Sequence, residues 1–270
     1  MKRFFTLLPL AFIILSCHRN PITGRSQLSL VSENEVQAMA LTEYKEFIET
    51  NKVVNSTKDA ESVKRVGNRI ITAITQYYQQ NGLSKELTGY KWEINLVDSK
   101  EVNAWCMPGG KIVVYTGLLK VTQTDAALAV VMGHEIAHAL ARHGSERMSQ
   151  SLVQEMGGVA LSVAVANKPT ETQNLFMSAY GVGSQVGVIL PFSRKNELEA
   201  DKLGLQFSAL AGYNPREAIT FWKRMAAASA ASTQQTPEFL STHPADETRI
   251  KQLEGIMNEI IAKYYKPINQ

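Results

Sequence analysis

The chain has 270 residues, of which 44% are hydrophobic and 20% charged, so it is long enough to bury one sizeable core. A net charge of +3 with no basic run or stripe excludes a nucleic-acid-binding face, and two cysteines exclude a disulfide framework.

The N-terminus reads as a targeting signal rather than as fold. Lys2 and Arg3 precede a short apolar run, Phe4 to Leu15, that ends in Ile14-Leu15-Ser16-Cys17. The run is too short to span a bilayer comfortably. Its end resembles a bacterial lipobox, so residues 1–16 are expected to be a lipoprotein signal peptide and Cys17 the lipidated first residue. Such a protein is expected to sit by lipid anchor on the periplasmic face of the outer membrane. Residues 17–31, mostly polar, with Pro21 and Gly24, then read as a tether to a single domain over 32–266.

Ser32-Glu33-Asn34-Glu35 is a capping box, and the helix behind it is amphipathic through Val36, Ala40, Tyr44 and Phe47. A second helix starts near Thr57, carries Val63, Val66, Ile70, Ile74 and Tyr77 on its inner face, and ends at Asn81-Gly82. Tyr90 to Val97 and Lys111 to Thr116 are the β signals, with Pro108-Gly109-Gly110 marking a turn before the second. Such a pair is either a plain hairpin or a sheet with a free edge able to hold an extended peptide.

The next helix, from about Thr124 to His143, carries the chemistry. Ala126 to Gly133 is apolar or small throughout, which describes a helix buried on all sides. Into it are set His134-Glu135-Ile136-Ala137-His138. Residues four apart lie about 40° apart around a helix, so His134 and His138 can reach one ion. Glu135 lies about 100° round and can reach a water at that ion. Two imidazoles, a carboxylate base and room for water fit a catalytic zinc. Unpaired, these three groups would be costly in so apolar a helix. His143 lies about 140° beyond His138 and reads as a helix C-terminal residue off the ligand face.

Residues 146–190 read as two weaker helical segments, rich in small residues, around Asn167-Lys168-Pro169. They suit close packing, a lid or a membrane-facing patch, though Gly157 to Ala166 is too short to span a membrane. A further helix begins near Ser193 and ends near Gly212; another follows Asn214-Pro215 to about Ala231 and degrades into a flexible run. Pro237 to Pro244 reads as a loop holding His243, and Asp246 to Tyr264 as the last amphipathic helix.

A catalytic zinc usually takes three protein ligands. The third has to come from a distance, because Ala141 and Gly144 stand where a metzincin needs Gly and His. Glu197 and Asp201, four apart, share one helix face, and Glu199 points about 200° away from Glu197. Either Glu197 or Asp201 can bind the metal, and the other can accept the N–H of a ligand histidine.

Gly133-His134-Glu135-Ile136-Ala137-His138, Glu197-x-x-x-Asp201, Ser241-Thr242-His243-Pro244 with Arg249, and Pro108 to Leu119 together resemble the HtpX/BepA-type zinc metallopeptidases. This gluzincin family also holds the CAAX prenyl proteases, and the similarity spans about residues 25–265. The resemblance implies an α+β, mostly helical zincin-type domain with a small sheet beside the active-site helix. It implies one Zn2+ on His134, His138 and Glu197, Glu135 as catalytic base, and Asp201 and Arg249 behind the ligands. It implies a zinc endopeptidase of the soluble periplasmic branch, acting on unfolded or misassembled envelope proteins in quality control. The alternative is a chaperone or assembly factor for outer-membrane proteins with latent protease activity. His243 has three open roles: packing, a donor to the oxyanion formed as water attacks, or a plug on the metal's fourth position. The resemblance suggests the plug.

Overall fold

The computed structural model describes residues 17–156, 176, 179, 193–231, 238–243 and 247–267. The stretch read as a signal peptide and most of 157–192 lie outside the described residues. Among the described residues no helix is long and apolar enough to cross a membrane.

Residues 17–31 are built into the fold, contrary to the expected tether. β1 (Cys17–Arg19) and β2 (Ser26–Leu28) pair antiparallel as a hairpin. Asn20 and Gln27 of that hairpin are buried, and their side-chain amides donate to the carbonyl of Ala141 at 2.9 and 2.7 Å. A polar composition reads as a solvated arm, but here the polar side chains satisfy backbone at a buried helix end.

The capping box is present as read: α1 (Glu33–Thr50) starts with Ser32 and Glu35 bonded reciprocally, and Val36, Ala40, Tyr44 and Phe47 are buried. α2 (Lys58–Gln80) buries Val63, Val66, Ile70 and Ile74, with Tyr78 rather than Tyr77 at the end of the stripe. The four-stranded sheet has the order β3 (Val53–Val54), β4 (Glu93–Val97), β6 (Lys111–Tyr115), β5 (Ala104–Met107). β4 and β6, the two strands legible in the sequence, are parallel neighbours and not a hairpin. The hairpin partner of β6 is the unforeseen β5, reached through Gly109 and Gly110, both at positive φ. A side chain at Gly110 would also strike the Trp92 ring, since a Cβ there would lie 2.6 Å from it. β5 is the edge of the sheet, but all four of its residues are buried. Trp105 packs with Phe47 and the cluster that includes Met148 and Leu152.

α3 (Thr116–Thr122) leads into α4 (Asp125–Leu140), whose Thr124 caps the N-terminus by accepting from Ala127 N–H. Every residue of α4 from Ala127 to Leu140 is buried. Its neighbours are β5, α2, α5 (His143–Met156), α6 (Arg194–Leu210) and α7 (Glu217–Ala231), which enclose it. α4 stops at Leu140 and not at Gly144, because Arg142 takes a left-handed conformation at φ 58°. The Arg142 guanidinium is held there by Glu86 at 3.0 Å and Glu33 at 3.6 Å. The helix expected to reach about Ala231 is α7 and ends there, and the run read as flexible beyond it lies outside the described residues.

α6 crosses α4 with glycine against glycine. A Cβ on Gly133 would lie 2.8 Å from the Gly204 carbonyl oxygen, and one on Gly204 would lie 2.8 Å from the His134 nitrogen. Only backbone against backbone allows such an approach. Counting back from Gly204, Asp201 is one turn and Glu197 two turns along the same face, so both carboxylates are aimed at α4. α8 (Glu238–Thr242) and α9 (Glu247–Tyr264) close the chain, with Arg249, Leu253, Met257 and Ile260 of α9 buried. The expected α+β, mostly helical domain with a small sheet beside the histidine-bearing helix is therefore what the chain forms.

Candidate metal centre

Four buried side chains from three places in the sequence converge: His134 and His138 of α4, Glu197 of α6 and His243 just after α8. One ligand atom from each lies within 4.8 Å of all the others. His134 Nε2 and His138 Nε2 are 3.0 Å apart, and His243 Nδ1 lies 3.2 Å from His134 Nε2 and 2.9 Å from Glu197 Oε1. Glu197 stands 3.3 Å from His138 Nε2 and 3.5 Å from His134 Nε2.

The far nitrogens decide what this cluster can hold. His134 Nδ1 is 3.0 Å from Asp201 Oδ1, which can only accept, so the ring proton lies on that side. His138 Nδ1 faces His143 Nδ1 at 3.0 Å. In the singly protonated form that can take up a metal, each ring's proton lies on its Nδ1 and both Nε2 lone pairs face Glu197. Glu197 Oε2 is buried without a hydrogen bond, although Arg249 stands 3.1 Å away as an ion-pair partner. Lone pairs converging from imidazole and carboxylate on one buried point are the donor set of a divalent metal, and of zinc in particular. The residues present fit that ion.

The carboxylates are held as anions. Burial works to raise Glu197, but His243, His134 and His138 outweigh it and keep the group well below the usual range. Asp201 is also lowered against the effect of burial, by Arg249 and then His134. Arg249 clamps Asp201 through Nε at 2.7 Å and Nη2 at 2.6 Å, and its guanidinium lies 3.6 Å from the centre of the Trp222 ring. Burial pulls His134 down, yet Asp201 and Glu197 together push it up to about 9. His138 goes the other way, well below the ordinary imidazole value, because burial prevails.

Glu135 lies beside His243 at the cluster. Its Oε1 is buried without a hydrogen-bond partner, and the nearest ring nitrogen, His243 Nε2, stands 3.6 Å away. Burial raises this carboxyl above the usual range, partly countered by His243 and His134. A raised carboxyl beside a ligand cluster is suited to accepting a proton and returning it.

Each residue singled out in the sequence, apart from Cys17, is thus brought to one place. Arg249 and Asp201 lie behind the histidines and Glu197, and His243 lies among them. Sequence reasoning misplaced His143. It is not the last residue of the histidine helix but the first of α5, and its ring touches His138. No local signal marks its tertiary contact: His143 Nε2 lies 2.8 Å from Glu199 Oε2, far along the chain. Gly133 and Gly204 were also missed, although a glycine next to each ligand motif is a readable sign of close backbone approach.

The family model for peptidase family M48 matches residues 58–257. Metalloendopeptidase OMA1, mitochondrial, of Bos taurus is 31% identical over 265 residues, which are 95% of this chain and 49% of that protein. Mitochondrial metalloendopeptidase OMA1 of Arabidopsis thaliana is 38% identical over 184 residues, 67% of this chain and 35% of the relative. The beta-barrel assembly-enhancing protease of Escherichia coli is 28% identical over 196 residues, 69% of this chain and 39% of the relative. The chain spans about half the length, or less, of these relatives. The expected placement as a lipid-anchored protein of the bacterial outer membrane, and with it the periplasmic lipoprotein branch, is corrected by these matches. The relatives that align over nearly the whole chain are mitochondrial proteins of eukaryotes. The family match over residues 58–257 includes the histidine helix, Glu197, Asp201, His243 and Arg249, and the chain belongs to peptidase family M48.

Proposed function

We propose that this chain is a zinc-dependent endopeptidase that hydrolyses peptide bonds in extended, unfolded segments of protein substrates. The observation that carries the reading is the convergence of His134 Nε2, His138 Nε2 and Glu197 within 3.5 Å, with Glu135 Oε1 free of a hydrogen bond beside them. One zinc held by His134, His138 and Glu197 would acidify water to a pKa of about 7 and polarise the scissile carbonyl. Glu135 takes the proton of the attacking water and passes it to the leaving amine, a role that its raised proton affinity suits. Asp201 keeps the His134 proton on Nδ1, and Arg249 keeps Asp201 charged and in place. His243 would be the residue to shield the metal from water in a resting form, a role supported by its place among the other three possible ligands.

Two measurements on the purified protein test the proposal. Metal analysis is expected to find one zinc per chain, and cleavage of casein is expected to stop with a chelator. Glu135→Gln is expected to keep zinc and lose cleavage. A parent without stoichiometric zinc rejects the reading. A Glu135→Gln variant that keeps full physiological function would instead favour a chaperone or assembly role.

A further inference from the structure

We propose that Arg25, Glu199 and His143 form a positioning chain that holds the His138 ring from behind, so that the N-terminal hairpin sets the metal affinity of the site. The inference rests on the reading of His138 as a ligand.

His138 must present a bare Nε2 toward Glu197, so its one ring proton lies on Nδ1. That nitrogen is 3.0 Å from His143 Nδ1, which therefore accepts. The His143 proton is then on Nε2, 2.8 Å from Glu199 Oε2. A carboxylate only accepts, so the direction of both bonds is determined. The same Oε2 also accepts from Arg25 Nε at 2.9 Å. Arg25 is fixed in turn by a bidentate pair with Glu146, both bonds 2.6 Å long. His143 is fully buried.

The two ligand histidines are thus held in different ways. Asp201 on α6 receives the His134 proton directly. His138 reaches its carboxylate, Glu199 on the opposite side of the same helix, only through an intervening imidazole. Arg25 comes from the loop between β1 and β2, and the same hairpin donates from Asn20 and Gln27 to the Ala141 carbonyl at the end of α4. One segment therefore fixes both the end of the histidine helix and the tautomer of its second histidine. Partners behind metal-bound histidines typically change metal affinity by about 10–100-fold.

The test uses the full chain stripped of metal, with zinc dissociation constants measured by competition against a chromophoric chelator. The parent is expected to bind one zinc per chain. His143→Ala and Glu199→Ala are expected to bind it about 10–100-fold more weakly, still saturating at one equivalent. Arg25→Met is expected to move the constant in the same direction by less. His143→Gln is expected to recover most of the loss, because its amide oxygen can accept from His138 and its amide N–H can donate to Glu199. A merely structural role would lower the denaturation midpoint of the metal-free protein, leave the dissociation constant alone and show no rescue by glutamine. Should His143→Ala fail to fold, Glu199→Ala and Arg25→Met carry the same measurement. Affinities within twofold of the parent in the folded variants overturn the positioning chain alone. A parent that takes up no zinc overturns the metallopeptidase reading, and this proposal with it.

Discussion

Gly204 lies against the backbone of His134, so close that a Cβ there would stand 2.8 Å from the His134 nitrogen and 2.9 Å from its Cα. The distance between the helix that carries two histidines and the helix that carries Glu197 and Asp201 is set at this crossing. Backbone atoms cannot move aside as the end of a flexible side chain can. Gly204→Ala is therefore expected to force α4 and α6 apart and to cost about 1–3 kcal/mol of stability. It should weaken zinc binding as well, because Glu197 and Asp201 ride on the displaced helix. Denaturant unfolding of the metal-free variant and a zinc titration check both; parent values in each would show that the crossing has slack.

Much of this arrangement was legible in the sequence. The helices around Val36, Ile70 and Leu253 follow from apolar spacing and caps, which depend on neighbouring residues only. The convergence of His134, His138 and Glu197 followed from motif spacing and family resemblance together. What escaped depends on tertiary contact. The stop of α4 at Leu140 rests on Arg142 held in a left-handed turn by Glu33 and Glu86, and on Asn20 and Gln27 reaching the Ala141 carbonyl. No local signal marks that stop, and Gly144 was the more visible breaker. β5 was hidden because Ala104-Trp105-Cys106-Met107 is buried at every position and shows no alternation. Residues 17–31 read as a tether in the sequence because buried polar side chains and solvated ones look alike until their partners are known.

The two carboxylates on the ligand face of α6 are expected to behave differently when removed. Glu197 lies within 3.5 Å of both His134 Nε2 and His138 Nε2, whereas Asp201 touches His134 only at Nδ1, away from the cluster. Glu197→Ala should lose most bound zinc. Asp201→Ala should retain it with affinity lowered by about 10–100-fold, the usual effect of removing a group behind a ligand. Equal zinc contents at equal free metal would contradict the assignment of Glu197 as the ligand.

Arg249 is buried, with its charge shared between Asp201 at 2.6 Å and Glu197 at 3.1 Å. Removing one partner of such a network leaves the others as uncompensated buried charges, which costs about 3–5 kcal/mol. Arg249→Leu is expected to lose stability on that scale in the metal-free protein. Zinc should restore part of it, since the ion supplies positive charge to Glu197 where the guanidinium did. Chemical denaturation with and without zinc measures this. A variant as stable as the parent without metal would show that the carboxylates had taken up protons at no cost.

The last expectation concerns His243, whose role the sequence left open among packing, oxyanion donation and occupation of the fourth metal position. Its ring packs on Phe239 with centroids 4.7 Å apart, so packing contributes. Packing alone does not explain why Nδ1 is turned into the cluster, 2.9 Å from Glu197 and 3.2 Å from His134. An oxyanion donor should stand beside the metal, aimed at the substrate carbonyl, and not among the ligand atoms themselves. In the plug role, the ring excludes water from the fourth position until it is displaced. His243→Ala is then expected to raise basal cleavage of an unfolded substrate while zinc content stays at one per chain. Loss of an oxyanion donor would instead lower turnover by about 10²–10³-fold. A turnover measurement on His243→Ala distinguishes the roles by sign: a large fall rejects the plug, and unchanged turnover with reduced stability assigns His243 to packing against Phe239.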